Sequence, residues 1–540
     1  MRYEGGVNPF DYTYTSRRSV TYGMHGMVAT SQQQASQAGL EILKKGGNAI
    51  DAAIAMAIAL TVVEPTCNGV GGDAFAIVWT KDGLAGLNSS GPAGSLADAK
   101  KLKEQGYTQM PAYGFQPVTV PGAPSAWITL SEKYGKLPFE ELFEPAIRLA
   151  EEGFAVSPVI SEIWENEFNI HYEQHREDPA HKAWFDTFAP KGRAPKAGEI
   201  FYNPELAETL KELAKTKCES FYRGKIADKI VAFSEEFGGN LVKEDLANYY
   251  AEWVKPINVN YRGYDVWEIP PNGHGIVALM TLNMLKGFDL NEKESVDTYH
   301  KSIEALKIAY ADGKKYVTDI RHMSVGVEDL LSDEYAAERR SLIGEKAIVP
   351  TAGKPKKGGT VYMCAADEEG NMISYIQSNY QKFGSGLVVP GTSIALHNRG
   401  KDFSLNEEDD NYLLPGKKPY HTIIPGFLTK DGKPVGPFGV MGNYMQPQGH
   451  VQVVQNMIDF HMNPQQALDA PRWQWTGGKE VLVEYNFPLD TYQKLQEMGH
   501  EIKYSNDTGS FGRGQIIVRM DNGVYAGGTE PRTDGAVLGY

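Results

Sequence analysis

One threonine carries most of the chemical information in this sequence. Thr360 follows Gly358–Gly359 and opens Thr360 to Ala366 (TVYMCAA), a run that is apolar on both alternating faces. Such a run predicts a strand buried on both sides. The stretch before it, Ile348 to Gly359 (IVPTAGKPKKGG), is polar, carries Pro and Gly and lacks periodicity, which predicts an exposed loop. A hydroxyl placed there can attack the carbonyl before it. Hydrolysis of the resulting ester frees an α-amine, whose unperturbed pKa of about 7.7–8.0 makes it a local base near neutral pH. Gly359 suits the departing side, because glycine tolerates the twisted backbone that brings Oγ onto the carbonyl. The same tripeptide is also an ordinary loop-to-strand boundary, and spacing alone does not choose between the two.

The elements that must position Thr360 lie on both sides of it. Asp367 to Asn371 (DEEGN) predicts a turn and Met372 to Gln377 a second strand, so the pair reads as a hairpin. Upstream, Ser31 to Lys45 has apolar residues at helical spacing and stops at Gly46–Gly47. Asn48 is placed to cap a second, alanine-rich helix over Ala49 to Val63, small on all sides and ended by Pro65. A glycine-rich bend, Cys67 to Asp73, then leads into a strand over Ala74 to Trp79. It is not a phosphate loop: the glycine spacing differs from GxGxxG, no GK[ST] follows, and the order is helix to strand. The middle, from about Gly122 to Arg340, reads as mainly helical, with Leu137 to Glu152, Asn203 to Lys217 and Val296 to Tyr316 the clearest segments. There is no internal repeat and no long linker.

Taken together these stretches resemble the γ-glutamyltransferases. Gly359 to Phe403 carries Thr, strand, D-x-x-G-N, strand, F-G-S-G and V-P-G-T-x-I-x-L-x-N, then Asp402–Phe403, as the family's small subunit does at its start. Gln37 to Val78 is similar to a large-subunit signature, and so is Val120 to Ser157. The resemblance covers nearly the whole chain in order. It implies the four-layer αββα sandwich of the N-terminal nucleophile hydrolases, with scission between Gly359 and Thr360. A large-subunit region, 1–359, and a small-subunit region, 360–540, would then form one intertwined domain.

Carried across residue by residue, the family site places the nucleophile at Thr360 and a second hydroxyl at Ser378. Backbone N–H groups of Gly442 and Asn443 would form the oxyanion hole, with Asn443 replacing a usual glycine. Asp402 aligns with the acid that grips the substrate α-ammonium, and Asn398 is placed to orient the same loop. Three positions depart from the pattern. Asn88 stands where the family has its carboxylate-binding Arg, which removes both a charge and a fork. Arg399 stands where the family has a neutral or acidic residue, and from there it could supply the missing positive charge. His421–Thr422 replaces a Ser-Ser pair, His421 being either a contact for an acyl carboxylate or a packing residue. These replacements resemble a bacterial and archaeal branch that includes cephalosporin (glutaryl) acylases.

The resemblance implies an acyl ester on Thr360, formed from a γ-glutamyl, glutathione-like amide and resolved by water or an acceptor amine. The alternatives are a glutaryl or cephalosporin-type acylase on the same fold, or an inactive unprocessed scaffold. No cofactor and no metal is implied. HExxH and GxSxG are absent from the sequence, and the pair His300 and Glu304 reads as a helix face. A net charge of −15 with scattered basic residues excludes the usual nucleic-acid binder. The three cysteines, Cys67, Cys218 and Cys364, are too few for a disulfide framework. The longest apolar run, Ala52 to Val63, is too short to span a membrane, and the first twenty residues have no apolar signal core. A cytoplasmic protein without a membrane partner is expected, and a homodimer or larger assembly stays open.

Overall fold

Strands apolar on both faces, and helices without a polar face, can be accommodated only in layers covered on both sides. The computed structural model describes residues 17–353 and 364–540. One seven-stranded sheet runs, edge to edge, Ala536–Gly539, Gly26–Thr30, Cys364–Asp367, Met372–Ser378, Asp73–Thr80, Gly83–Ser89 and Glu252–Val254. The other runs Thr21–Gly23, Tyr525–Thr529, Arg513–Arg519, Lys433–Met441, Gly426–Lys430, Tyr264–Glu268 and Ile257–Tyr261. The sheets pack against each other; helices Gln33–Lys44 and Ala49–Val63 cover the first, Gly275–Leu285 and Gln446–Ile458 the second. This is the expected αββα sandwich. Both sheets take strands from before residue 353 and from after residue 364, so the two stretches cannot separate without tearing each sheet.

The helix Ala49–Val63 begins where the cap residue requires. The Asn48 side chain accepts from the N–H groups of Ile50 and Asp51 at 3.0 and 2.9 Å, and Asp51 accepts from the Asn48 N–H at 3.1 Å. That reciprocal box satisfies three donors that a helix start leaves over. All fifteen residues of the helix are buried, and their small side chains let it lie directly on Cys364–Asp367 and Met372–Ser378. Those two strands form the expected hairpin, with Cys364 opposite Ser374 and Ala366 opposite Met372. Asp367 at its turn accepts from Asn371 N at 3.1 Å and, with its other oxygen, from Ala49 N at 2.8 Å. One carboxylate therefore fixes the hairpin turn against the start of the helix.

The middle of the chain is less uniformly helical than its composition suggests. Pro204–Lys215 and Val296–Tyr316 form as expected, while the first part of Leu137 to Glu152 tightens to a 3-10 turn, Phe139–Phe143, before the helix Glu144–Glu152. The clear difference is a hairpin, Ile257–Tyr261 with Tyr264–Glu268, at the edge of the second sheet. Its turn is Arg262–Gly263, both with positive φ (53° and 86°), the geometry that matches strand twist in a two-residue loop. No helix among the described residues is long and apolar enough to cross a membrane.

Candidate active site

The glycine-rich bend before Asp73 exists for close packing of chain on chain. A Cβ on Gly71 would lie 2.3 Å from the Ala395 carbonyl oxygen, and one on Gly72 would lie 2.7 Å from that of Ser378. The bend delivers Asp73 to the first position of its strand, directly opposite Ser378 in register.

Asp73 is the hub of a fully buried polar cluster. Arg399 donates to it twice, Nε to Oδ2 at 2.8 Å and Nη2 to Oδ1 at 3.2 Å. His421 Nε2 donates to the same Oδ2 at 2.7 Å, and His397 Nδ1 stands 3.3 Å away. The remaining Arg399 nitrogen, Nη1, donates to Thr422 Oγ1 at 2.8 Å, and the Tyr380 ring lies 4.3 Å from the guanidinium carbon. Burial alone would raise the Asp73 pKa, but Arg399 and His421 outweigh it and hold the carboxyl well below its usual range. Burial, reinforced by Arg399, pushes His421 down to about 4. The cluster is thus a carboxylate and a guanidinium with a neutral imidazole donating through Nε2. The charge of Arg399 is balanced within the cluster by Asp73. His421 is likewise held by Asp73 and packs on the Phe75 ring.

Beside this cluster opens a cavity of about 860 Å³, lined among others by Ser378, Tyr380, Thr422, Gly442, Asn443 and Gln446. Ser378 ends its strand there, its Oγ accepting from the Tyr380 N–H at 2.8 Å. Gly442 and Asn443 both have positive φ, 143° and 56°, where the strand Lys433–Met441 turns into a 3-10 turn and the helix Gln446–Ile458. At Gly442 a Cβ would lie 2.9 Å from the Gly512 Cα, so a side chain is excluded as well as strained. The start of that helix carries the positive end of its dipole to the cavity wall, where negative charge is favoured.

Asp402 stands one hydrogen bond behind the wall. Its Oδ1 accepts from Tyr380 Oη at 2.6 Å and from Tyr444 Oη at 3.3 Å, while the buried Oδ2 has no hydrogen-bond partner among the described residues. Burial raises its pKa, against the opposing pull of Tyr380 and Arg399. Asn398 holds the preceding loop, accepting from Gln381 N at 3.1 Å and donating to Ala112 O at 2.8 Å. Asn88 is buried away from the cavity wall, donating to Asn272 Oδ1 at 3.0 Å and accepting from Ser90. Gly359 and Thr360 lie outside the described residues. The nearest described position is Cys364, between Ala29 and Ser374. The strands that flank it run on to Thr30 and to Ile376 through Ser378, all of which line the cavity.

The structure therefore gathers Ser378, Thr422, Gly442 and Asn443 around one cavity, with Asp402 bonded to its Tyr380 and Arg399 to its Thr422. Sequence reading passed over Asp73 as the end of a glycine turn, and it passed over Tyr380 and Tyr444 altogether. An acid at the first position of an otherwise apolar strand was the available signal for Asp73. Cys218 and Cys364 are buried, and burial pushes the thiol of Cys67, which lines the cavity, up to about 11, so it stays protonated.

Buried neutral imidazoles make the fold acid-sensitive. Burial lowers His421 to about 4 and His450 and His500 to about 3, against 6.5 when exposed. Their contribution is fully present above pH 6.5. As pH falls the unfolded chain takes up protons first, and stability is lost down to the folded pKa values. At about 1.4 kcal/mol per pKa unit, His421 alone accounts for roughly 3 kcal/mol. Denaturant midpoints should be flat from pH 7 to 8 and fall steeply between pH 6.5 and 4; a flat profile to pH 5 is incompatible with buried neutral histidines.

The Gamma-glutamyltranspeptidase family model matches residues 35–540. The glutathione hydrolase-like YwrD proenzyme of Bacillus subtilis (strain 168) is 36% identical over 526 residues, covering 96% of this chain and 99% of that protein. The oxamate amidohydrolase proenzyme of Klebsiella pneumoniae is 33% identical over 529 residues, covering 96% and 98%. A crystal structure of cephalosporin acylase from Bacillus halodurans shares the fold with a TM-score of 0.97 and 58% sequence identity, over 99% of each chain.

Proposed function

The chain belongs to the gamma-glutamyltranspeptidase family, and from that premise we propose that it is a self-cleaving amidohydrolase and acyltransferase with Thr360 as nucleophile. The observation that carries this reading is that Ser378, Gly442 and Asn443 line one cavity, which the strands flanking Cys364 also reach. Cys364 lies opposite Ser374, four residues before Ser378 along its own strand, and Thr360 is four residues before Cys364 in the sequence. In maturation Thr360 Oγ adds to the Gly359 carbonyl carbon, the Gly359–Thr360 C–N bond breaks, and water hydrolyses the ester. The chain becomes regions 1–359 and 360–540, still interleaved in both sheets. In turnover the freed amine takes the hydroxyl proton as Oγ attacks the donor amide. The backbone N–H groups of Gly442 and Asn443 stabilise the oxyanion, and the leaving amine carries the proton away. Water or an acceptor amine then attacks the ester and restores Thr360.

For the acyl group we favour γ-glutamyl, its α-ammonium held by the unpartnered oxygen of Asp402 after Tyr380 moves aside. A second reading, a glutaryl-type acylase, rests on a separate observation. Asp402 accepts from Tyr380 and Tyr444 and does not itself line the cavity, and a glutaryl group, which keeps the carboxylate of γ-glutamyl and lacks only its α-amine, needs no such acid. The two readings separate on γ-glutamyl-p-nitroanilide and glutaryl-p-nitroanilide. With γ-glutamyl as the natural group, Asp402→Asn should lower kcat/KM for that substrate by roughly 10²-fold, the value of a buried charge-assisted bond, and spare the glutaryl substrate. Higher wild-type activity on the glutaryl anilide, with Asp402→Asn affecting both equally, selects the acylase.

A further inference from the structure

Behind the cavity wall formed by the helix Pro158–His175, three imidazoles converge. His171 and His175 stand one turn apart on that helix, and His181 follows in the 3-10 turn Pro179–His181. One ring nitrogen from each lies within 4.8 Å of the others. His171 is fully buried and His181 is 2% exposed. Both nitrogens of His171, Nε2 of His175 and Nε2 of His181 have no well-formed hydrogen bond among the described residues, though the Ser385 backbone approaches His181. Four buried ring nitrogens left over in one spot is an expensive arrangement unless something else satisfies them.

The surroundings are those of a built site. Asp178 Oδ2 holds His181 Nδ1 at 3.0 Å, which turns Nε2 toward the other two rings. A carboxylate on the outer nitrogen of an imidazole is the usual support of a metal ligand. Trp184 stacks on His171 at 4.2 Å, and Tyr113 packs edge-on to His171 and His175. Gly386 (φ +74°) is the residue that leaves room: a Cβ there would lie 2.7 Å from His171 Cε1 and 2.9 Å from His181 Nε2.

We propose that His171, His175 and His181 bind a transition-metal dication of the Zn²⁺ class through three imidazole nitrogens. An all-nitrogen donor set suits zinc, cobalt, nickel or copper and not magnesium or calcium. Tetrahedral bonds of about 2.0–2.1 Å put ligand atoms roughly 3.3 Å apart, so His175 and His181, whose rings now stack 4.1 Å apart, must turn out of that stack for their in-plane lone pairs to meet on one ion. In the other cluster of this kind among the described residues, His300, Glu304 and His500, only His500 Nδ1 has no hydrogen-bond partner. Glu304 pairs with Lys307 at 2.6 Å, and His300 Nδ1 meets His500 Nε2 at 2.8 Å. The ion would tie the helix that bears Glu162, Ile163, Asn166 and Glu167 of the cavity wall to the turn that follows it.

The test uses the tag-free full chain, stripped with chelator and titrated with Zn²⁺ by calorimetry and with Co²⁺ by visible absorption. One equivalent per chain is expected, with the d–d bands of tetrahedral Co²⁺ and a rise in melting temperature. His175→Gln, at a half-buried position that folding tolerates, should weaken binding by at least about 100-fold, and Asp178→Asn by roughly 10–100-fold. His300→Gln should change nothing. Absence of stoichiometric binding, or equal affinity in the wild type, His175→Gln and Asp178→Asn, overturns the assignment.

Discussion

Thr360→Ala should leave a single uncut chain of 59.6 kDa with no measurable amidase activity. The wild type should instead resolve by intact mass into pieces of about 40 and about 20 kDa, which is the residue count on either side of Thr360 scaled to the whole. The smaller should begin TVYMC. Removing a nucleophile that acts as a unit with its base costs at least ~10⁴-fold, and here the same substitution also withholds the base, because no free amine is ever made. Thr360→Ser separates the two losses: it keeps the hydroxyl, should still cleave, and should retain partial activity. The uncut variant should remain folded, since residues on both sides of the junction are strands of both sheets. Its melting temperature is therefore expected within a few degrees of the wild type. Two pieces from Thr360→Ala would show that some other agent cuts the chain and would remove the case for autocatalysis. An uncut but active wild type would remove Thr360 as nucleophile altogether.

How much of this was legible in the sequence depends on how local each feature is. The helix Ala49–Val63 and its cap were readable to the residue, because an Asn followed three positions later by Asp, before an all-apolar run, is determined within a few neighbours. The hairpin Cys364–Asp367 and Met372–Ser378 was readable for the same reason. The strands Ile257–Tyr261 and Tyr264–Glu268 were lost in a region of helical composition, although alternation about Arg262–Gly263 marked them. The site was less legible. Asp73 and Arg399 are 326 residues apart, and nothing in either segment announces that they form one buried ion pair. Arg399 consequently looked unpaired in the sequence, whereas the structure buries it against Asp73. The spacing H-x₃-H-x₅-H at His171, His175 and His181 was visible, but its meaning depends on a turn at Pro179 that folds the third ring back on the first two.

The buried ion pair sets the second large effect. Asp73→Asn should destabilise the protein by about 3–5 kcal/mol, because it leaves a fully buried guanidinium without a counter-charge. The replacement cannot be rescued by turning the amide. Arg399 Nε, Arg399 Nη2 and His421 Nε2 all donate to the two oxygens of Asp73, and an asparagine keeps only one acceptor while presenting an NH₂ to the other donors. Thr422 is the remaining acceptor of Arg399 and is part of the cavity wall, so activity should fall along with stability. The cost is best read in the uncut Thr360→Ala chain, where unfolding does not separate two polypeptides, as a shift in denaturant midpoint at constant m value. Asp73→Asn with Arg399→Met removes both charges and should recover a substantial part of the loss, since a buried pair replaced by apolar volume is often close to neutral. Arg399→Lys keeps the charge but not the fork and should fall between the wild type and Asp73→Asn. A single-variant loss below about 1 kcal/mol, or a double variant no better than Asp73→Asn, would mean that water reaches this cluster. The close approach of Gly71 and Gly72 to the chain, which sets Asp73 opposite Ser378, would then serve packing alone rather than a buried charge beside the cavity.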